Sequence, residues 1–337
     1  MSADPTLEEV GAVAGVSRAT VSRVINGSPK VSPEAKSSVE RAIKQLGYTP
    51  NRAARSLVTR RTDTIALLFS EPEARVFADP FFVAIVRGIS AVAAEIDMNL
   101  VLLIAQDEVE HERARRYLRR DHVDGVVLMS LHGDDPLPRL LTKAGVPTVQ
   151  VGRPLGRSSG VPYVDADNRG GAEVAVNHLL GLGRRKIATI TGPSSMSAGI
   201  DRFEGYRDAL EADGIEPSSK LIEEGEFDEE SGYLAMSQLL ARQPALDAVF
   251  AASDLMAVGA LRALRDAGRD VPGDVAVVGF DDAPVAAHTL PPLTTIRQPL
   301  DEMSRRTAQL LLQRIADSSS RASHVVCPTA LIRRRSA

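Results

Sequence analysis

From residue 62 onward, short apolar runs of strand length alternate with longer stretches of helical periodicity, and this alternation restricts the fold more than any other feature of the chain. The runs are "TIALLF", "LVLLIA", "GVVLMS", "PTVQVG", "KIATITG", "DAVFAA", "VAVVGF" and "TTIRQ". Helical stretches lie between them, among them Phe81 to Ile96, Arg169 to Leu182, Asp201 to Ala212, Glu229 to Leu240 and Asp254 to Ala267. Such an order indicates parallel sheets covered by helices on both faces. The units are too many for one comfortable sheet, which predicts two similar α/β subdomains.

The first 61 residues are of another kind. They hold ten Lys and Arg against five Asp and Glu, whereas residues 62–337 hold thirty against thirty-nine. A basic head on an acidic body points to a polyanionic partner for the head alone. The head reads as three short helices. Leu7, Val10 and Val13 form one apolar stripe; Ser17 caps a second helix carrying Val21, Val24 and Ile25; Ser32 and Pro33 open a third carrying Val39, Ile43 and Leu46. "AGVS" supplies the tight turn between the first two, with Gly15 free to take positive φ.

With its valines and isoleucine turned inward, the second helix presents Arg18, Ala19, Ser22, Arg23 and Asn26 outward. This composition suits the major groove. Arginine offers two parallel donors to guanine O6 and N7, a small residue permits close approach to a base edge, and Ser17, Thr20, Ser22 and Asn26 are available to phosphates. A merely solvated face is the alternative for any isolated helix with two arginines, but here turn, cap and charge agree.

Other classes are excluded on chemistry. No apolar run approaches membrane-spanning length, and "MSADPTLEEV" lacks the apolar core of a secretory signal, so a cytoplasmic location is expected. The single Cys327 precludes an internal disulfide, and six scattered histidines show no metal-ligand spacing, so no metal and no cofactor are expected. "GLGRRK" and "TGPSSMSAG" match neither a dinucleotide nor a Walker spacing. The pairs Asp165/Asp167 and Asp281/Asp282 read as turn and cap residues before they read as acid/base pairs. The chain is not expected to be an enzyme.

The segment "TLEEVGAVAGVSRATVSRVINGSPKVSPEAKSSVERAIKQLGYTPNRAARSLVTRRTDTIALLF" strongly resembles the N-terminal region of the lactose/galactose repressor family of bacterial transcription regulators. The likeness continues through "DPFFVAIVRGI", "HVDGVVLMS", "VDADNRGG", "RFEGYRDAL", "SDLMAVGAL", "VGFDD" and "PPLTTIRQP" to "LIRRRS". "PEARVFADPFF" and "SLHGDDPLPRLL" look most like actinobacterial oligosaccharide-utilisation repressors of the cellobiose type.

The resemblance implies a helix-turn-helix head over residues 1–48 and a hinge helix over 49–61. It implies a periplasmic-binding-protein-like core over 62–337, of two doubly wound parallel-sheet subdomains. One subdomain is expected over 62–162 and 292–320, the other over 163–291 and 321–337, with the chain crossing near 162, 291 and 321. The hinge is basic and too short to be a stable helix alone in water. The resemblance implies that it orders in the minor groove, with Asn51 and Arg55 on the DNA and Leu57 as the wedge between base pairs. It places an effector at the strand ends, where open α/β sheets hold ligands. Arg202 and Asp281 suit sugar hydroxyls, Ser253 stands where the family carries Asn or Asp, and Phe227 with Phe82 from the opposite lobe supply aromatic faces. The expected protein is a dimeric repressor of carbohydrate-utilisation genes on a pseudo-palindromic double-stranded operator, released by a sugar. A sugar-responsive activator or dual regulator and a solute-binding protein are the alternatives.

Overall fold

The structure, a computed structural model, describes residues 5–25, 28, 30–48, 61–156, 160–317 and 323–337. It divides into two compact units, Met1–Thr62 and Asp63–Ala337.

In the head, α1 (Leu7–Ala14), α2 (Arg18–Ile25) and α3 (Pro33–Leu46) begin where capping chemistry starts them. Thr6 and Glu9 form a reciprocal box at α1: Thr6 N donates to Glu9 Oε2 at 2.7 Å, and Glu9 N to Thr6 Oγ1 at 3.3 Å. Gly15, at φ 69°, ends that helix in the left-handed region. Ser17 Oγ accepts Thr20 N at 3.2 Å, and Ser32 Oγ accepts Ala35 N at 3.2 Å ahead of Pro33. Val10, Val21, Val39 and Ala42 close a small common core. Val13 does not join it. The inner stripe of α1 runs through Leu7, Val10, Gly11 and Ala14, which leaves Val13 at the outer edge and 46% exposed.

The second unit is two lobes, each built on a six-stranded sheet. The first sheet contains β1 (Thr64–Phe69), β2 (Asn99–Ile104), β3 (Gly125–Met129), β4 (Thr148–Val151) and β5 (Tyr163–Ala166), and the second contains β6 (Ile187–Thr191), β7 (Ile222–Glu224), β8 (Ala248–Ala251), β9 (Ala276–Asp281) and β10 (Thr294–Arg297). Of the last two strands, β11 (His324–Cys327) joins the first sheet and β12 (Ala330–Ile332) the second. The orders are β11-β5-β4-β3-β1-β2, wholly parallel, and β12-β10-β9-β8-β6-β7, parallel except where β12 runs against β10.

Around the first sheet pack α4 (Glu73–Ala78), α5 (Pro80–Glu95), α6 (Glu108–Tyr117), α7 (Leu137–Lys143) and α12 (Leu300–Ala316); around the second, α8 (Asn168–Gly181), α9 (Ser197–Ala212), α10 (Glu229–Arg242) and α11 (Asp254–Asp266). The two-residue period of a strand feeds a core on each face. Ile65, Leu67 and Phe69 of β1 meet α5 and α12, while Ala66 and Leu68 meet α6 and α7. Cys327 is 1% exposed within the first of these cores, a packed thiol.

The chain crosses between lobes later than the sequence suggests. β5 stays with the first sheet, pairing with β4 and β11, so the first crossing follows Ala166 rather than residue 162. β10 pairs with β9 in the second sheet, moving the second crossing from 291 to the segment after Arg297. β11 returns to the first sheet, so the third falls after Cys327 and not near 321. The physical reason is pairing. Thr294, Thr295 and Ile296 are fully buried against β9, an environment no linker could offer them.

Candidate effector cleft and nucleic-acid interface

On α2 the inward side is Val21, fully buried, with Val24 and Ile25 half-buried. Ser17, Arg18, Ala19 and Arg23 are exposed, and Thr20 and Ser22 are half-buried. Six of the expected DNA-contacting residues are therefore gathered on one helix and its cap. Arg18 Nε lies 3.1 Å from Glu8 Oε1, an exposed pair linking the first turn of α1 to the first residue of α2. Asn26, Asn51, Arg55 and Leu57, with the rest of the expected hinge through residue 60, lie outside the described residues.

A cleft of about 760 Å³, counted with the open space at its mouth, runs between the lobes at the carboxyl ends of the strands. The structure brings all five expected effector residues, Phe82, Arg202, Phe227, Ser253 and Asp281, to its walls.

Arg202, on α9, is 5% exposed and held on several sides. Its Nε donates to Asn168 Oδ1 at 2.8 Å, and Nη1 donates to Ala252 O and, at 3.4 Å, to Asp281 Oδ1. The guanidinium also stacks 3.7 Å from the Phe280 ring centroid. Asp281 closes β9 and receives Gln298 Nε2 at 2.7 Å from the second crossing. Asp281 and Asp282 both take positive φ, 119° and 56°, which is strained backbone at the cleft end of β9. The partner aspartate faces away: Asp282 pairs with Arg297 at 2.7 Å and Arg334 at 2.6 Å.

Three carboxylates, Asp79, Asp165 and Asp281, face three guanidinium groups, Arg75, Arg153 and Arg202, along the cleft. Burial pushes the Asp281 carboxyl up to about 6, opposed by Arg202 and reinforced by Asp79. Burial likewise pushes Asp165 up to about 6, although Arg153 N and Ala166 N donate to it. Asp254 is fully buried and raised well above the ordinary carboxylate range by burial and by Asp281; it accepts Thr295 Oγ1 at 2.5 Å and Ala283 N at 2.7 Å, tying down the loop that carries Asp281. Arg202 is pulled down by burial, with Asp281 and Asp165 opposing.

The aromatic walls differ from each other. Phe227, at φ 59°, sets its ring between Arg202 and Arg75, 5.6 and 5.7 Å from the two guanidinium carbons. It fits because position 192 is glycine: a Cβ there would stand 2.0 Å from Phe227 Cζ. Phe82 is 2% exposed and wedged edge-on against Phe69 and Phe81, so it is a core residue with one edge at the cleft. Half-buried Phe81 offers the more accessible ring on that side. Ser253 caps α11, its Oγ accepting Met256 N at 3.2 Å, which commits part of its hydrogen-bonding capacity to the helix.

Several wall residues were not singled out from sequence: Arg75, Asp79, Gln150, Arg153, Asn168 and Gln298. Asp165, which the sequence offers as a turn or cap residue, lines the cleft, whereas Asp167 does cap α8, accepting Gly170 N at 3.0 Å. Position just after a strand was the available signal for Arg153, Asn168 and Gln298. Arg153, two residues beyond β4, also reaches across the cleft to Asp201 of α9, Nη2 to Oδ1 at 2.6 Å and Nε to Oδ2 at 3.2 Å. No group of three or more His, Cys, Asp or Glu suited to a metal ion occurs among the described residues. No helix among them is long and apolar enough to cross a membrane.

A three-helix head with a basic reading face, followed by a two-lobed core with a polar cleft at its strand ends, defines a DNA-binding regulator governed by a small ligand. The chain belongs to the lacI family of bacterial regulatory proteins: residues 6–51 match that family and residues 176–337 match the periplasmic binding protein-like domain. It is 53% identical over 333 residues, 98% of each chain, to the HTH-type transcriptional regulator CelR of Thermobifida fusca. It is 35% identical to the ribose operon repressor of Escherichia coli K12, across 98% of this chain and 99% of that one. Among solved structures, a CelR–cellobiose complex matches at 51% identity and a TM-score of 0.80, covering 99% of this chain and all of the other. A lac repressor dimer bound to operator and an anti-inducer matches at 27% identity and a TM-score of 0.86, covering 99% of each. These relatives are transcriptional regulators and not enzymes, and they support the repressor reading over an activator or a solute-binding protein.

Proposed function

We propose that this protein is a homodimeric repressor of carbohydrate-utilisation genes that binds a pseudo-palindromic operator and releases it when a β-linked glucose disaccharide, cellobiose, fills the cleft. The observation that carries the reading is the part-buried Arg202–Asp281 pair, its guanidinium set between the Phe227 and Phe280 rings, in a cleft shared by two lobes. Charged and bidentate groups fix adjacent hydroxyls, and aromatic faces cover the C–H surface of a sugar ring. The CelR–cellobiose complex, at 51% identity over nearly the whole chain, supports cellobiose as the effector. On the DNA side, Arg18 and Arg23 read guanine while Ser17, Ala19, Thr20 and Ser22 permit close approach and phosphate contact. The site of action is the cytoplasm.

Genomic footprinting with the pure protein identifies the operator, and fluorescence anisotropy on that duplex follows release by mono- and disaccharides. Release by cellobiose at lower concentration than by glucose, lactose or ribose is expected. No release by any sugar, or a footprint without dyad symmetry, overturns the reading.

A further inference from the structure

In the cleft, most buried polar side chains are already engaged by protein. Arg202, Asp281 and Asn168 hold one another or their neighbours, Asp165 accepts two backbone donors and Asn168 Nδ2, and Ser253 caps a helix. Gln150 is the exception that matters. It is 3% exposed, lines the cleft, and its Oε1 has no hydrogen-bond partner among the described residues. Its position explains the orphan. Gln150 is the polar residue at the centre of β4, with Val149 and Val151 beside it and Leu128 of β3 and Tyr163 of β5 in register on either side. Its backbone N–H is committed to Pro162 O at 2.9 Å, which fixes the strand but does nothing for the carboxamide.

An apolar residue would fill this place without desolvating an amide, and an amide oxygen buried without a donor is destabilising. The deficit is removed by a ligand that brings a donor. We propose that Gln150 is an effector-selecting residue on the wall of the first lobe, its carboxamide oxygen accepting a hydrogen bond from one hydroxyl of the bound sugar. This rests on the sugar reading of the cleft and deepens it. Arg202 and Asp281 belong to the second lobe, whereas β4 belongs to the first. A sugar held by both is bound across the cleft. A site built to pair a hydroxyl rejects the analogue that lacks it, so Gln150 selects by the position and configuration of a single hydroxyl.

The test is calorimetry of cellobiose and its mono-deoxy analogues on the full-length wild type and on Gln150→Met, which keeps the side-chain length and removes the amide. Gln150→Leu provides a second variant, and thermal unfolding confirms that each is folded. In the wild type one deoxy analogue binds about 10- to 100-fold more weakly than cellobiose, and in the variants that difference falls below about threefold. If each analogue shows the same ratio to cellobiose in wild type and variants, Gln150 is a packing residue and the inference is wrong while the sugar reading stands. If the folded wild type binds no cellobiose, the effector reading falls and the inference falls with it.

Discussion

Replacing Asp201 by Asn tests whether the lobes are held together by a clasp outside the ligand's own contacts. Asp201 accepts two hydrogen bonds from Arg153 across the cleft, yet it does not line the cavity, so its loss reports on the spacing of the lobes and not on ligand contact. Side-chain exposure is 38% for Arg153 and 17% for Asp201. Exposed ion pairs contribute about 0.2–1 kcal/mol and charge-assisted hydrogen bonds about 1.5–3 kcal/mol. With the arginine more than a third in water, screening places this pair at about 1 kcal/mol, a factor of about five in the balance between joined and separated lobes. A ligand that binds only the joined state loses apparent affinity by at most this factor, and by less where the joined state already predominates. Asp201→Asn is therefore expected to weaken binding of the proposed effector about two- to fivefold by calorimetry at 0.1 M salt, and by less at 1 M, where the screening length is about 3 Å. Operator affinity without sugar serves as the control, since the pair lies in the core. An unchanged sugar affinity in both Asp201→Asn and Arg153→Ala, or a loss just as large at 1 M salt, refutes the reasoning.

Further outcomes follow from other parts of the molecule. Asp165 is held near 6 by burial, so between about pH 4 and 6 the folded chain retains a proton that the unfolded chain has released; its contribution to stability is greatest below that window and declines as pH rises through 6. Urea midpoints for wild type and Asp165→Asn should consequently shift relative to one another between pH 5 and 7.5, and a constant difference contradicts this. Gly192→Ala drives a methyl into the Phe227 ring and is expected to lower effector affinity about tenfold or more with operator binding unaltered; wild-type calorimetry in that variant argues against a role for the ring. Arg23→Ala should cost about 1–3 kcal/mol at one symmetric guanine position and little at mutated sites, which binding to a set of substituted operators decides.

Much of the architecture was legible because the long parallel strands are unbroken apolar runs: β1 is "TIALLF" residue for residue, and the other runs marked in the sequence differ from their strands by a residue or so at the ends. Where the signal failed, the elements are short and mixed. β5 is "YVDA" and β12 is "ALI", too brief to carry a period, and the crossing near 162 that the family resemblance implies falls ahead of β5. Helix α12 begins at Leu300 without a side-chain cap, and it too went unmarked. The cleft divides along the same line. Arg202 and Asp281 could be placed from a family resemblance, but whether a polar residue in an apolar strand is satisfied depends on neighbours that sequence does not display, and Gln150 in "PTVQVG" was therefore invisible.

The order in which the sheets are completed bears on synthesis. The ribosome delivers β1 to β5 first, but the first lobe still lacks α12 and the edge strand β11, which emerge only after nearly all of the second lobe. The second lobe in turn awaits β12 and the tail, where Ser336 Oγ donates to Val277 O at 2.6 Å and accepts Thr294 N at 2.8 Å. Neither lobe can be finished by the chain that precedes the other, so nascent protein carries two incomplete parallel sheets at once. Pairings this distant in sequence form slowly, and exposed strand edges in the meantime are open to foreign chains. A nascent chain stalled at residue 323 would consequently hold two unfinished lobes, and release of the last fourteen residues would complete both.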